Sequence, residues 1–192
     1  MTNSSIVVAN SELDLTAMPP SGRLPCGIAG ESSRRVSMRV VSAAIEQVTV
    51  DAVILVVDAR GIRGSRQHAH FIRLVDDAAG QACRLMAGLD LAMCASMVLE
   101  RRQQPQLPCD VVLIFSGQRS LADVLEAAFK VADSRCYKSV AVPIMDGSEA
   151  GSEDFISEFM SGVRNFVAGP HQLQSFSLVV GDDPLAFAPV VA

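Results

Sequence analysis

The sequence lacks the features that mark a secreted or membrane-spanning protein. Its start, MTNSSIVVANSELDL, has neither the basic residues nor the long apolar run of a signal peptide. No stretch is apolar over the ~18 residues that a membrane span needs. The five cysteines stand singly with no C-x-x-C pair, which favours reduced thiols over disulfides or zinc. We therefore expect a cytoplasmic protein in a reducing compartment, with no membrane contact, no metal site and no cofactor.

Excess positive charge is also missing. The formal net charge is −5 and the isoelectric point is near 5.1, which disfavours a generally basic nucleic-acid binder but leaves room for a local basic patch. Hydrophobic residues make up 49% of the chain, enough to bury a sizeable core. His68 and His70 are two positions apart, so on a helix they point to different faces and a shared metal is not expected.

The first 35 residues differ in composition from the rest. The stretch TAMPPSGRLPCGIAGESSRR is rich in Pro, Gly and Ser and has no apolar period. Such a composition predicts an irregular extension, with one short strand at residues 6–9. The regular domain is predicted to cover residues 36–192.

Strand and helix patterns alternate through that domain. Strands are predicted at SMRVVSA and FSLVVGDD, and buried strands at VDAVILVV, DVVLIFSG and KSVAVPIM. Helices are predicted at QHAHFIRLVDDAAGQACRLM, with a break at Gly80, at SLADVLEAAFKVADSR and at FISEFMSGVRNFV. Ser120 and Asp123 form a capping pair at the start of the second helix. The segment LDLAMCASMVL fits a strand or a helix. This order predicts an α/β fold with a mixed, mainly parallel sheet covered on both faces.

Several of these segments together resemble the macro domain family. The block LADVLEAAFKVADSRCYKSVAVPIM is similar to the second half of a macro domain, which has a helix and then a Lys-Ser-Ile-Ala-x-Pro strand. VDAVILVVDA resembles the family's Val-Asp-Ala-Ile-Val-Asn-Ala-Ala-Asn segment. LPCDVVLIFSG and SLVVGDDPLAFAPVV resemble a further strand and the closing strand with its helix. The resemblance covers about residues 36–192.

This resemblance implies a three-layer α/β/α fold that binds ADP-ribose at the carboxyl ends of its central strands, between two glycine-rich loops. The sequence departs from the family pattern at several positions. Ala44 stands where the family has an aspartate that reads adenine, and Leu55 and Asp58 replace its two asparagines. The aromatic residue of the second loop is also missing. These departures indicate a divergent member.

The first candidate loop, DARGIRGSR, follows a buried strand. Its candidate ligand-binding residues are Asp58, Arg60, Gly61, Arg63 and Gly64. Glycine permits close approach of the backbone to a phosphate, and arginine pairs with phosphate through two hydrogen bonds. The arginines are three positions apart and would share one face if the segment were helical. One alternative is a solvated rim. Another is that Arg60 or Arg63 pairs with Asp146 or Glu149 of the second loop.

The second candidate loop precedes a predicted helix and has the sequence DGSEAGSED. Its candidate ligand-binding residues are Asp146, Gly147, Ser148 and Gly151. A glycine-containing loop before a helix can cradle an anion with its N–H groups. The acids Asp146, Glu149, Glu153 and Asp154 would repel a diphosphate, and an ordinary capped turn is the alternative.

The sequence thus predicts a non-catalytic binding module for ADP-ribose or a related nucleotide or phosphate ligand. One alternative is an ADP-ribosyl hydrolase in which Asp58 acts as general base. A second is a macro-like scaffold that has lost ADP-ribose binding and contacts protein or RNA, the RNA through Arg60, Arg63 and Arg66.

Overall fold

A computed structural model describes residues 36–58, 61–63, 68–87, 95–116, 119–145 and 152–180. The short strand predicted at residues 6–9 and the closing tail lie outside these residues. The described helices are α1 (Ala69–Ala87), α2 (Leu121–Ser134) and α3 (Ser152–Val167), and a short 3₁₀ turn covers Ile45–Gln47. The strands are β1 (Ser37–Val41), β2 (Ala52–Asp58), β3 (Gly61–Ile62), β4 (Ser96–Leu99), β5 (Asp110–Phe115), β6 (Ser139–Pro143) and β7 (Ser175–Val179).

Six of the seven strands form one continuous sheet in the order β1-β7-β6-β2-β5-β4, and β3 pairs with β2 outside this path. The pairings of β1 with β7, β7 with β6, β6 with β2 and β2 with β5 are parallel. The pairing of β4 with β5 is antiparallel. The expectation of a mixed, mainly parallel sheet is therefore confirmed, and the ambiguous segment LDLAMCASMVL contains strand β4 in its described part.

Side chains of β2 alternate between two cores because successive residues of a strand point to opposite faces of the sheet. Ile54 and Val56 lie in the core shared with α2 and α3, whereas Leu55 and Val57 lie in the core that includes Phe71 of α1. These four side chains are all buried. This double burial explains the uninterrupted apolar run in the sequence and gives three layers, with helices on both faces of the sheet.

Helix α2 begins where its capping residues predict. The hydroxyl of Ser120 accepts a hydrogen bond from the Asp123 N–H at 3.2 Å. The Glu158 carboxylate on α3 accepts a second one from the Ala122 N–H at 2.9 Å. Two of the free N–H groups at this helix start are thus satisfied by side chains, which fixes the start of α2 against α3.

Aromatic contacts hold the α2–α3 layer on the sheet. The ring of Phe129 on α2 makes edge-to-face contacts with Phe159 and Phe166 of α3 and with Phe176 of β7, at centroid distances of 6.2, 5.8 and 5.0 Å. Helix α1 is interrupted as predicted, because Gly80 has φ 57° and ψ −142°, far from helical values.

Candidate functional site

The parallel strands bring their carboxyl ends to one edge of the sheet, which we call the carboxyl edge. It is formed by the ends of β1, β2, β5, β6 and β7. Strand β2 continues into α1 on one face, whereas β6 continues into α3 on the other face. In open α/β sheets, ligands bind where neighbouring strands send their connections to opposite faces. The carboxyl ends of β2 and β6 therefore form the candidate site.

Strands β2 and β6 are paired only near their amino ends. The described pairs are Ala52 with Val140 and Val53 with Ala141. On its other side, β2 pairs with β5 along six residues, from Ala52 with Asp110 to Val57 with Phe115. The sheet thus leaves space beside the second half of β2, on the side of β6.

Strand β3 occupies part of that space. The carbonyl of Val57 accepts a hydrogen bond from the Ser116 N–H, just after β5, at 2.9 Å. The carbonyl of Val56 accepts one from the Arg63 N–H at 2.8 Å. Successive residues of a strand direct their N–H and C=O groups to opposite edges, so β3 lies on the edge that faces β6. Residues 61–63 of the first candidate loop therefore fold back on β2, and β2 and β3 form a hairpin.

The hairpin explains one glycine of the first loop. Gly61 pairs with Asp58 and has φ +115°, a conformation that residues with a Cβ rarely adopt. A Cβ added at Gly61 would meet no atom within 4 Å, so the requirement is one of backbone conformation and not of space. The helical arrangement considered for the arginines is wrong here, because Gly61–Ile62 is a strand.

Two of the predicted site residues form an ion pair at the hairpin. The Nε of Arg63 lies 3.4 Å from Oδ2 of Asp58, and each side chain is 30% exposed. Arg63 therefore has an acidic partner within its own hairpin. Its predicted pairing with Asp146 or Glu149 is not tested, because both of these acids lie outside the described residues.

The other predicted site residues also lie outside the described part of the chain. They are Arg60, Gly64, Asp146, Gly147, Ser148 and Gly151. The structure does place both ends of the second loop. Met145, buried at 5% exposure, ends the described chain after β6, and α3 begins at Ser152. The described chain thus reaches Met145 at the carboxyl edge and resumes at Ser152.

A cation that sequence analysis missed lies at the same edge. Arg119 is exposed in the connection from β5 to α2, and its N–H donates to the Ser116 carbonyl at 3.2 Å. The signal was present in the segment FSGQRS, where a glycine and an arginine stand between a buried strand and a helix. The start of α2 is not itself an open anion site, because Glu158 already accepts from the Ala122 N–H.

Ala44 lies after β1 and precedes the 3₁₀ turn Ile45–Gln47. Its φ of −65° and ψ of 141° are typical of a capping position, but its side chain makes no capping hydrogen bond. The buried Ile45 directly after it packs into the core beneath the α1 face. Position 44 is thus held at the carboxyl edge without a polar side chain of its own.

The largest pKa shifts in the described residues occur at the opposite, amino edge of the sheet. Burial raises the pKa of the Cys109 thiol to about 11. Burial, together with a hydrogen bond from its hydroxyl to Asp110 Oδ2 at 2.6 Å, raises the pKa of Tyr137. Both residues precede strands, so these shifts belong to the packing of that edge and not to the candidate site.

The described part of the chain contains neither a metal-binding cluster nor a membrane-spanning helix. No group of three or more His, Cys, Asp or Glu side chains there could hold a metal ion. His68 is buried at the start of α1 while His70 is exposed, so the two histidines face different surroundings. Among the described helices, none combines the length and the apolar character needed to cross a bilayer.

The sheet order and the helices on both faces define a three-layer α/β/α protein with a candidate site at its carboxyl edge. The sequence matches no family model, and no curated protein sequence matches it significantly. Solved structures do match. The Oceanobacillus iheyensis macrodomain with MES bound is 14% identical with a TM-score of 0.57, covering 79% of this chain and 86% of that chain. The Thermus aquaticus DarG macrodomain is 13% identical with a TM-score of 0.53, covering 74% and 97%.

A tomato leucine aminopeptidase mutant also matches, with 12% identity and a TM-score of 0.52 over 82% of this chain and 35% of that chain. The Oceanobacillus macrodomain has been solved with ADP as well, and a mutant of it with ADPR. At these identities the comparisons establish the fold. The chain has the macro domain fold, as its sequence resemblance predicted.

Proposed function

We propose that this chain is a non-catalytic binding module for ADP-ribose or a related nucleotide with a diphosphate, held at the carboxyl edge between β2 and β6. One observation carries the proposal: β2 and β6 separate at the point where their connections leave to opposite faces. A glycine-containing loop follows each of these strands. Neighbours with the same fold have been solved with ADP and with ADPR, which supports a ligand of this class.

The charges at this edge are compatible with a diphosphate. Arg63 pairs with Asp58 at the end of β2, and Arg119 follows β5 in the connection to α2. Arginine binds phosphate oxygens through two parallel hydrogen bonds, so exchange of Asp58 for a phosphate would keep Arg63 paired. Position 44 supplies no acid for the adenine amine, so we expect affinity to depend on the phosphates more than on the base.

Calorimetric titration of the full chain with ADP-ribose is the direct test. We expect ADP-ribose to bind at micromolar concentrations and to remain chemically unchanged. ADP should bind with similar affinity, whereas adenosine should bind much more weakly. Failure of both ADP-ribose and ADP to bind, with a melting temperature unchanged by excess ligand, would contradict the proposal.

A pair of glycine variants locates the site. Gly147→Val places a branched side chain in the second loop, where the phosphates need close backbone approach, and should abolish binding. Gly169→Val is the matched control. Gly169 follows α3 near the amino edge, and a Cβ there would lie 3.8 Å from the Phe166 carbonyl, an ordinary contact. If both variants bind equally well, the site lies elsewhere.

A hydrolase remains the second candidate because Asp58 presents a carboxylate at the end of β2 with 30% of its side chain exposed. In that case the chain should release ADP-ribose from a modified protein, and Asp58→Asn should abolish release. Release that persists in Asp58→Asn would exclude this role. If no nucleotide binds, the remaining candidate is a scaffold that contacts protein or RNA.

A further inference from the structure

Strand β1 ends the sheet on the side opposite to β4, and its outer edge is directed away from β7. The Ser37 N–H donates to the Gln174 carbonyl at 2.8 Å, and the Val41 carbonyl accepts from the Val180 N–H at 3.0 Å. Residues 37, 39 and 41 therefore point their backbone groups toward β7. The N–H and C=O groups of Met38 and Val40 point to the outer edge, which none of the described strands pairs.

The side chains along this edge are apolar on one face. Met38 and Val40 are half-buried and pack against the core shared with α2 and α3. Val36, directly before the strand, packs against the same core and is also only partly buried. An edge that combines open backbone groups with a half-covered apolar row favours the addition of another strand.

We propose that residues 6–9 of this same chain, Ile-Val-Val-Ala, add to the outer edge of β1 as a further strand. Three observations support this occupant. The 35 residues before Val36 lead directly into the amino end of β1, so this segment is present at a high effective concentration. Residues 10–35 are long enough to reach either end of a five-residue strand.

The third observation is the sequence of the segment. Ile6, Val7 and Val8 are all β-branched, and they stand in an extension otherwise rich in Pro, Gly and Ser. In a strand, residues two apart share a face, so Ile6 and Val8 would extend the apolar row formed by Met38 and Val40. The proposal does not depend on the ligand or on the proposed function.

Hydrogen exchange of single backbone amides in the full chain tests the proposal. The amides of Met38 and Val40 should be protected in the wild-type protein, as should that of Arg39, which faces β7. The variant Val7→Pro/Val8→Pro removes two N–H groups and prevents strand pairing in either register. It should raise the exchange rates of Met38 and Val40 by about tenfold or more, while Arg39 changes little.

The matched control is Ala17→Pro, which adds a proline to the extension outside the predicted strand and should leave all three amides unchanged. Fast exchange of Met38 and Val40 in the wild-type protein would overturn the proposal. Protection that survives in Val7→Pro/Val8→Pro would overturn it as well. If the protection of Met38 and Val40 in Val7→Pro/Val8→Pro is lost when the protein is diluted, a second copy of the chain occupies the outer edge of β1.

Discussion

Asp58 and Arg63 face each other across the β2–β3 hairpin, with Nε of Arg63 3.4 Å from Oδ2 of Asp58. Asp58 is the last residue of β2 and Arg63 directly follows β3, at the edge where we place the ligand. A partly exposed ion pair of this kind adds little to folding stability, since solvent screens it. Under the proposed function, the carboxylate holds the guanidinium in place but would also compete with an incoming phosphate for it.

The first prediction follows from this competition. Asp58→Asn should bind ADP several-fold more tightly, because it removes a negative charge and releases Arg63 for the phosphates. Arg63→Gln should weaken ADP binding by about tenfold, since it removes a charge-assisted hydrogen bond. Calorimetric titration measures both. Arg164→Gln, which removes an exposed arginine from the last turn of α3, is the control. Equal affinities in all four proteins would contradict the placement of Arg63 at the site.

The second prediction concerns the end of α2. Cys136 has φ +61°, and its N–H donates to the Asp133 carbonyl at 2.9 Å while the Tyr137 N–H donates to that of Ala132 at 3.3 Å. This is the Schellman arrangement, in which glycine is preferred at the left-handed position. Cys136→Gly should stabilise the fold by about 1 kcal/mol. Urea unfolding measures the change, and Cys136→Ala should give no comparable gain.

The third prediction concerns the contact between α2 and α3. A Cβ added at Gly162 would lie 3.0 Å from the Ala122 carbonyl and 3.1 Å from Cβ of Leu125. Neither atom belongs to the end of a flexible side chain, so the helices must move apart. Gly162→Ala should destabilise the fold by about 1–2 kcal/mol, even though alanine favours helix.

Gly169→Ala is the control for that variant, because its added Cβ would make only an ordinary contact. Thermal and urea unfolding of both variants should show a lower midpoint for Gly162→Ala alone. A midpoint at or above the wild-type value in Gly162→Ala would show that the two helices can adjust without cost.

The fourth prediction concerns Cys109 and Cys136, which differ in burial. Burial raises the pKa of the Cys109 thiol to about 11, so at pH 8 it is almost entirely protonated as well as inaccessible. Cys136 is exposed. Iodoacetamide at pH 8 should therefore label Cys136 and spare Cys109 until the protein is unfolded. Peptide mass spectrometry resolves the two sites, and rapid labelling of Cys109 in the folded protein would contradict its burial.

The raised pKa of Cys109 also predicts how the stability of the fold depends on pH. A raised pKa means that folding favours the protonated thiol, so the contribution of Cys109 is fully present below its unfolded pKa and is lost as the pH rises toward 11. The free energy of unfolding should fall between pH 9 and pH 11. In urea titrations across this range, the free energy of unfolding of Cys109→Ala should fall less steeply with pH than that of the wild-type protein. An equally steep fall would show that other groups cause the loss.

Much of the local structure could be predicted from the sequence. The apolar run of β2 identified a strand buried on both faces, and the pair Ser120 and Asp123 located the start of α2. Gly80 was correctly identified as a break in α1. Each of these signals depends on neighbouring residues along the chain, which is why they could be read without the fold. The segment that contains β4 was ambiguous because a short apolar run fits either period.

The sequence by itself determined which segments form strands and helices and which residues are apolar enough to be buried, because these depend on local periodicity and capping. Only the tertiary structure decided that β2 lies between β5 and β6, that β3 folds back toward β6, and that Arg63 pairs with Asp58. It also brought Arg119 to the same edge. Those relationships depend on strand order and register, which are set by packing between residues far apart in the chain and leave no local signal in the sequence.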